Sequence, residues 1–258
     1  MQQKSNQIEE TAQTPDSQVI YGRNSVIETL KTVEAADTLY LSGADTDKAL
    51  GYIVALAKQK GAVIKKVPEL KLSKLCASEH HQGVALLCPV CRYCTLDELF
   101  ENAAQSGEPP LFVVTDGIED PHNLGAIIRT AECVGVHGVV IPKRGNCAVT
   151  SAVHRASAGA CSCMKIARVS NLASAIRDMK KRGVFFYCAD MDGSPAFQTD
   201  LTGPAALVVG SEGFGVSRLV KELCDITVSL PIRGQINSLN ASVAAGVLLY
   251  EILRQRTQ

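Results

Sequence analysis

Leu207–Arg254 reads LVVGSEGFGVSRLVKELCDITVSLPIRGQINSLNASVAAGVLLYEILR, and this stretch decides the fold of a 258-residue chain. Leu207-Val208-Val209 is a short apolar run with the character of a buried strand. Gly210, Gly213 and Gly215 follow it, with Glu212 among them. A second apolar run, Ile226 to Leu230, stops at Pro231. Gly234 and the polar pair Asn237-Ser238 then lead into a helix of small and apolar residues. Glycines just past two strand ends, beside a helix start, let backbone come close to a ligand.

Working outward, strands and helices alternate from Leu111 to the last helix. Strands are expected at Leu111–Thr115, Gly138–Ile141, Met164–Val169, Val184–Ala189, Leu207–Val209 and Ile226–Leu230. Helices are expected at Leu124–Cys133, Leu172–Lys181 and Leu239–Arg256, with a loop and short helix in 146–159. This alternation predicts an α/β domain, a mostly parallel sheet with helices on both faces. Residues 19–90 read as a second, smaller α/β domain. Residues 91–110 read as a linker holding a helix from Thr95 to Ala104, with Glu98 as capping-box partner of Thr95. Residues 1–18 are polar, aperiodic and expected to be disordered.

Lys+Arg and Asp+Glu number 26 each, so the net charge is zero. Residues 1–110 carry −3 and residues 111–258 carry +3, which permits a nucleic-acid partner without arguing for one. No apolar run is long enough to span a membrane, and the first residues lack a secretion signal, so the chain is expected in the cytoplasm. Its ten cysteines are then expected as thiols. Cys88, Cys91 and Cys94 open like an iron–sulfur run, but Thr95-Leu96-Asp97-Glu98 stands where a fourth cysteine is needed. No metal is expected. Cys161 and Cys163 read as strand residues.

Gly210-Ser211-Glu212-Gly213-Phe214-Gly215 resembles the second motif of the SpoU/TrmH RNA 2′-O-methyltransferases. Leu230 to Gly234, with Ser238 to Ala244, resembles their third motif. Asp120-Pro121-His122-Asn123-Leu124-Gly125-Ala126-Ile127-Ile128-Arg129-Thr130-Ala131 matches the first. The subgroup most similar to the chain is RlmB-like and methylates a guanosine ribose of large-subunit (23S-type) ribosomal RNA. The resemblance implies a SPOUT-type trefoil-knotted domain, a small N-terminal RNA-binding domain, S-adenosylmethionine as methyl donor, and a homodimer. It maps cofactor contacts to Gly210, Leu230, Leu239 and Ser238.

The same resemblance makes Arg129 the leading candidate for acting on the ribose 2′-hydroxyl. A guanidinium stays protonated in proteins, so Arg129 either accepts a proton under strong desolvation or binds the neighbouring phosphate. Asn240 orients the hydroxyl or the cofactor, or caps the last helix in competition with Ser238. Asn123 is read as bracing the first motif's loop. Glu212 is read as fixing the glycine loop through backbone N–H groups, ahead of a general-base role.

Leu239, Val243, Val247 and Tyr250 recur at near-helical spacing, so they read as core or as a face for a partner subunit. Lys143-Arg144 and His154-Arg155 are candidate RNA contacts. Lys180-Lys181-Arg182 reads as a solvated basic helix end. Arg23 and His81 belong to pieces resembling the N-terminal RNA-binding domain, or are ordinary surface and turn residues. Two other functions compete: the same chemistry on transfer RNA, and a non-catalytic RNA-binding protein of this fold. The N-terminal domain argues against the first, and the intact motifs against the second.

Overall fold

The computed structural model describes residues 17–33, 36–42, 48–89, 91–235 and 238–258. The chain divides into two units, Met1–Val90 and Cys91–Gln258. No described helix is long and apolar enough to cross a membrane.

The first unit runs β1 (Ser17–Tyr21), α1 (Arg23–Thr32), β2 (Thr38–Leu41), α2 (Lys48–Gln59), β3 (Val63–Lys66), α3 (Glu69–Cys76) and β4 (Val84–Pro89). Its sheet has the order β1-β4-β2-β3, antiparallel except for the β2–β3 pair. The helix faces meet the sheet at Val26, Leu30, Ile53 and Ala57 over Leu39, Leu41, Val84 and Leu86. The disorder expected through Gln18 does not hold for Ser17 and Gln18, which pair with Pro89 and Cys88. Residues 1–16, and Val90 at the expected boundary, lie outside the described residues.

The second unit holds β5 (Tyr93–Cys94), α4 (Leu96–Ser106), β6 (Leu111–Asp116), α5 (Pro121–Cys133), β7 (Gly138–Pro142), α6 (Ser151–Ala156), β8 (Ile166–Val169), α7 (Leu172–Lys181), β9 (Phe185–Pro195), β10 (Ala205–Gly210), α8 (Arg218–Leu223), β11 (Ile226–Ser229) and α9 (Ala241–Arg256). All seven strands are parallel, in the order β11-β9-β10-β6-β7-β8-β5. Phe112, Val114, Val140, Phe186 and Val208 share one buried cluster with α4, α7 and α8. Side chains alternate across a strand, so Val113, Val139, Leu207 and Val209 turn to the other face, where α5 and α9 lie. Two covered faces explain why the strands are apolar runs and not alternating patterns.

The connecting stretch is structured. β5 pairs with β8, and α4 starts with the expected capping box: Glu98 N–H donates to Thr95 Oγ1 (3.2 Å) and Thr95 N–H to Glu98 Oε2 (2.7 Å). Leu99 and Ala103 of α4 join the sheet's core.

Two local expectations need correction. Cys161 is buried in a 3-10 turn, Ala160–Ser162, and Cys163 is exposed after it, so neither is a strand residue. Lys180 is no free helix end: its Nζ bonds Asp225 (2.7 Å) and the Leu223 carbonyl (2.9 Å). Arg182 likewise pairs with Asp97 (2.6 Å) and Asp178 (2.8 Å), and lies over the Phe100 ring. The thiols of Cys88 and Cys91 are buried, and burial pushes Cys88 up to about 11. Among the described residues, no group of three His, Cys, Asp or Glu is placed to hold a metal ion.

Candidate active site

The chain adds β7 and β8 on one side of β6, then β9, β10 and β11 on the other. The order therefore reverses between β6 and β10, whose ends pair as Asp116↔Gly210. Parallel sheets bind ligands beyond the carboxyl ends of their strands at such a reversal. Here β10 runs into the glycine loop. Ser211 and Gly215 exchange two backbone bonds (3.1 and 2.9 Å), closing the loop on itself. A Cβ at Gly210 would collide with the backbone of Gly215 and Val216. Position 210 must be glycine for the loop to fold back.

Beside the loop lies a cavity of about 350 Å³. Its walls come from the middle of β9 (Asp190, Met191), the end of β10 (Gly210), the residues after β11 (Leu230, Ile232), and Ser238, Leu239, Ala244 and Leu248 at α9. Gly210, Leu230, Leu239 and Ser238, the four residues assigned to a cofactor, all line it, and so does Glu212. Asn237 lies outside the described residues. A second cleft, of about 380 Å³, shares the loop residues Ser211 to Phe214 and is otherwise lined by 117–120 and Asn123.

Three polar side chains from three distant stretches converge at the loop. Asn123 Nδ2 donates to Glu212 Oε1 (3.1 Å), and Asn240 Nδ2 donates both to that oxygen and to Asn123 Oδ1 (2.9 Å). Asn240 Oδ1 meanwhile accepts from the N–H groups of Ser242 (3.0 Å) and Val243 (3.2 Å). Asn240 is thus the N-cap of α9, and Ser238 is not. Capping uses the amide oxygen and leaves the NH₂ to face the other two residues.

Two expected roles change. Asn123 does not brace a loop: α5 begins at Pro121 with Asp120 as cap, which puts Asn123 in the first helical turn. Proline at the first helical position explains the earlier start. Glu212 bonds the two amides, not the loop's backbone.

Arg129 is not in this cluster. It lies six residues after Asn123 on α5, about 9 Å along the helix axis, and it is exposed. It lines neither the cavity nor the cleft. The next residue, Thr130, lines an open groove along α9 with Val243, Val247 and Tyr250. Val243, Val247 and Tyr250 are 50, 39 and 53% exposed, so of the two readings of this stripe, core or partner face, core is excluded and the stripe faces outward. The buried face is Ala241, Ala245, Leu248, Leu249 and Ile252. The helix that approaches the small residues of α9 is α5, with Thr130 beside Gly246.

Sequence reading missed Asp190, which lines the cavity and is held by Lys221 (2.7 Å). Lys221, with the Met191 and Asp192 N–H groups, holds its carboxyl below the ordinary range against the opposing effect of burial. A carboxylate just past a parallel strand's apolar run was the available signal.

Lys143, Arg144 and Arg155 are exposed, while His154 is bonded to Ser162 Oγ (3.1 Å). In the first unit His81 is buried. Its ring bonds Ser73 Oγ (3.0 Å) and accepts from Gly83 N–H (3.1 Å), so it braces a turn and does not present itself to a ligand. Arg23 donates to Gln82 twice, from N (2.9 Å) and Nε (3.3 Å), in the same corner.

The chain matches the family model of the SpoU rRNA Methylase family over residues 110–250. It also matches the model for RNA 2′-O ribose methyltransferase substrate binding over residues 19–93. It is 43% identical over 238 residues to the "Putative TrmH family tRNA/rRNA methyltransferase YacO" of Bacillus subtilis (strain 168), covering 92% of this chain and 95% of that protein. An AdoMet-bound rRNA methyltransferase from Sinorhizobium meliloti superposes with a TM-score of 0.66 at 25% identity, covering 93% of this chain and 87% of the other. The A. aeolicus TrmH/SpoU tRNA modifying enzyme superposes with a TM-score of 0.54 at 30% identity, over 62% of this chain and 83% of its own. Both the sheet reversal that carries three converging motifs and the substrate-binding unit before it are accounted for together: the chain belongs to the SpoU rRNA methylase family, with a SPOUT-type fold in its second unit.

Proposed function

We propose that this protein transfers a methyl group from S-adenosylmethionine to a ribose 2′-hydroxyl, that of a guanosine in large-subunit ribosomal RNA. The carrying observation is the Asn123–Glu212–Asn240 network at the mouth of the 350 Å³ cavity. The cavity's residues fit the cofactor. Leu230, Ile232, Leu239 and Leu248 offer apolar surface to an adenine, and the strand-end backbone at Gly210 and Leu230 offers groups for its polar edge. The bound sulfonium supplies an activated methyl. The chain's own residues do the rest: Glu212 fixes Asn240, and Asn240 and Asn123 hold the acceptor ribose in line. Arg129 acts on the hydroxyl or on the phosphate beside it.

The likeness to a ribosomal RNA enzyme over 93% of the chain, against 62% for a transfer RNA enzyme, supports a ribosomal substrate. The substrate-binding model over residues 19–93 supports it further. An RNA substrate puts the work in the cytoplasm. The outward stripe of α9 supports a homodimer, and pairing there would give Arg129 a cavity to serve that its own chain does not offer. The knot implied by the family's motifs would keep the cavity's walls in register.

The test is methyl transfer from labelled S-adenosylmethionine to ribosomal RNA and to transfer RNA, both from a strain lacking the gene. Wild type and Arg129→Ala run side by side, with the modified nucleoside identified by mass. A 2′-O-methylguanosine in large-subunit RNA alone, lost in the variant, is expected. Methylation of transfer RNA alone would overturn the ribosomal reading, and cofactor binding without transfer to any RNA or ribosomal particle would overturn the catalytic one.

A further inference from the structure

Phe214 is 96% exposed, the most exposed large apolar side chain among the described residues. It stands at the tip of the glycine loop between Gly213 and Gly215, and its N–H donates to Ser211 Oγ (3.3 Å). The ring therefore has a fixed base and an open face. It lines both the 350 Å³ cavity and the neighbouring 380 Å³ cleft. A phenylalanine left in water beside a site forgoes the burial that normally keeps it in a core. A flat group, apolar on its face, would cover the ring.

The cleft says what that is. Glu119, Asp120 and Glu212 line it, and no lysine or arginine does. Three carboxylates repel a phosphate but accept hydrogen bonds from N–H donors on a base edge. Asn123, at the cleft's inner wall, belongs to the network that faces the cofactor cavity. A ribose held there carries its base outward, toward Phe214.

We propose that Phe214 is a positioning residue that stacks on the unpaired base of the target nucleotide in the acidic cleft; this rests on the RNA-methylation reading above. Bases taken out of a helix are received by aromatic faces in this way. The loop that borders the cofactor then also reads the substrate, so one element aligns both reactants.

The experiment compares Phe214→Ala, Phe214→Leu, Phe214→Tyr and Phe214→Trp in the full chain. KM and kcat are measured with ribosomal RNA from the gene-deleted strain, and the S-adenosylmethionine Kd is measured by calorimetry. Loss of one base stack corresponds to about a 5- to 100-fold change. The alanine and leucine variants are expected to lose that much in kcat/KM, tyrosine and tryptophan to recover it, and the cofactor Kd to stay within about twofold, a range far below the stacking effect. Leucine rescuing as well as tryptophan would overturn the proposal in favour of simple packing. A rise in cofactor Kd matching the activity loss would overturn it in favour of a lid on the cofactor. Unchanged kcat/KM in all four variants would also sink it. Wild-type transfer is the separate control, because its failure would fall on the function and not on Phe214 alone.

Discussion

The two units use long-range polar contacts in opposite ways. In the first, Arg23 reaches across 59 residues to Gln82, and His81 reaches Ser73 and Gly83. All but one of these bonds involve backbone, and the ring of His81 is buried. They hold a corner together. In the second unit Asn123, Glu212 and Asn240, up to 117 residues apart, bond one another through side chains alone, and the shared carboxylate is solvent-exposed. Such contacts contribute little to stability, because each group could bond water instead. Their convergence beside a cavity marks a site, whereas the backbone-anchored bonds of the first unit mark construction.

The largest effect that tests this contrast is expected at Gly210. Gly210→Ala drives a methyl into the backbone of Gly215 and Val216. Cofactor binding by calorimetry should vanish, with a stability loss of about 1–3 kcal/mol from overpacking. Wild-type affinity in a folded variant would break the claim that this loop builds the cavity. Next in size is Asn240→Ala. Methyl transfer should fall about 10²- to 10³-fold, as for loss of one aligned donor, while the lost cap lowers stability by about 1 kcal/mol. An activity loss no larger than the stability change explains would return Asn240 to a purely structural role.

His81→Ala is expected to do the reverse. It leaves the Gly83 N–H without its acceptor in the first unit and removes one of the two bonds of Ser73 Oγ, which keeps the Glu69 carbonyl, costing about 1–3 kcal/mol. The rate of the folded fraction should not change, so denaturant titration beside an initial-rate assay separates the two kinds of contact. The smallest effect concerns pH. Arg254 and Gln255 donate to Glu251 and hold its carboxyl at about 2, against an ordinary value of 4.5. The folded state thus favours the carboxylate. Its contribution is complete above about pH 4.5 and is lost as pH falls through 2. Acid unfolding should show this limb in wild type and lack it in Glu251→Gln.

The parallel sheet was legible because its strands are apolar runs separated by helical periods, and Leu172–Lys181 falls where the periodicity puts it. The start of α5 was missed because Pro121 looks like a breaker while it serves as a first helical residue. Gly210, Leu230, Leu239 and Ser238 were singled out by the family resemblance of their motifs, and they line one cavity. Their neighbours Asp190 and Met191 did not, because only the strand order brings β9 beside β10. The outward face of α9 was hidden for a related reason. Small residues and a mixed apolar stripe look alike whichever side is buried, and it is the packing of α5 that chooses.

Every residue that walls the 350 Å³ cavity lies at position 189 or later. A ribosome making this chain therefore completes one side of the sheet, β6 to β8, long before any part of the cavity exists. The cavity closes only when Leu248 of α9 has left the exit tunnel and docked. A ligand of this cavity stabilises only chains that have reached that point, by a margin that grows with its concentration over Kd. On the methyl-transfer reading proposed above, the donor would double as a folding ligand for the last stretch of the nascent chain, and its scarcity would leave more of the protein open at the elements made last.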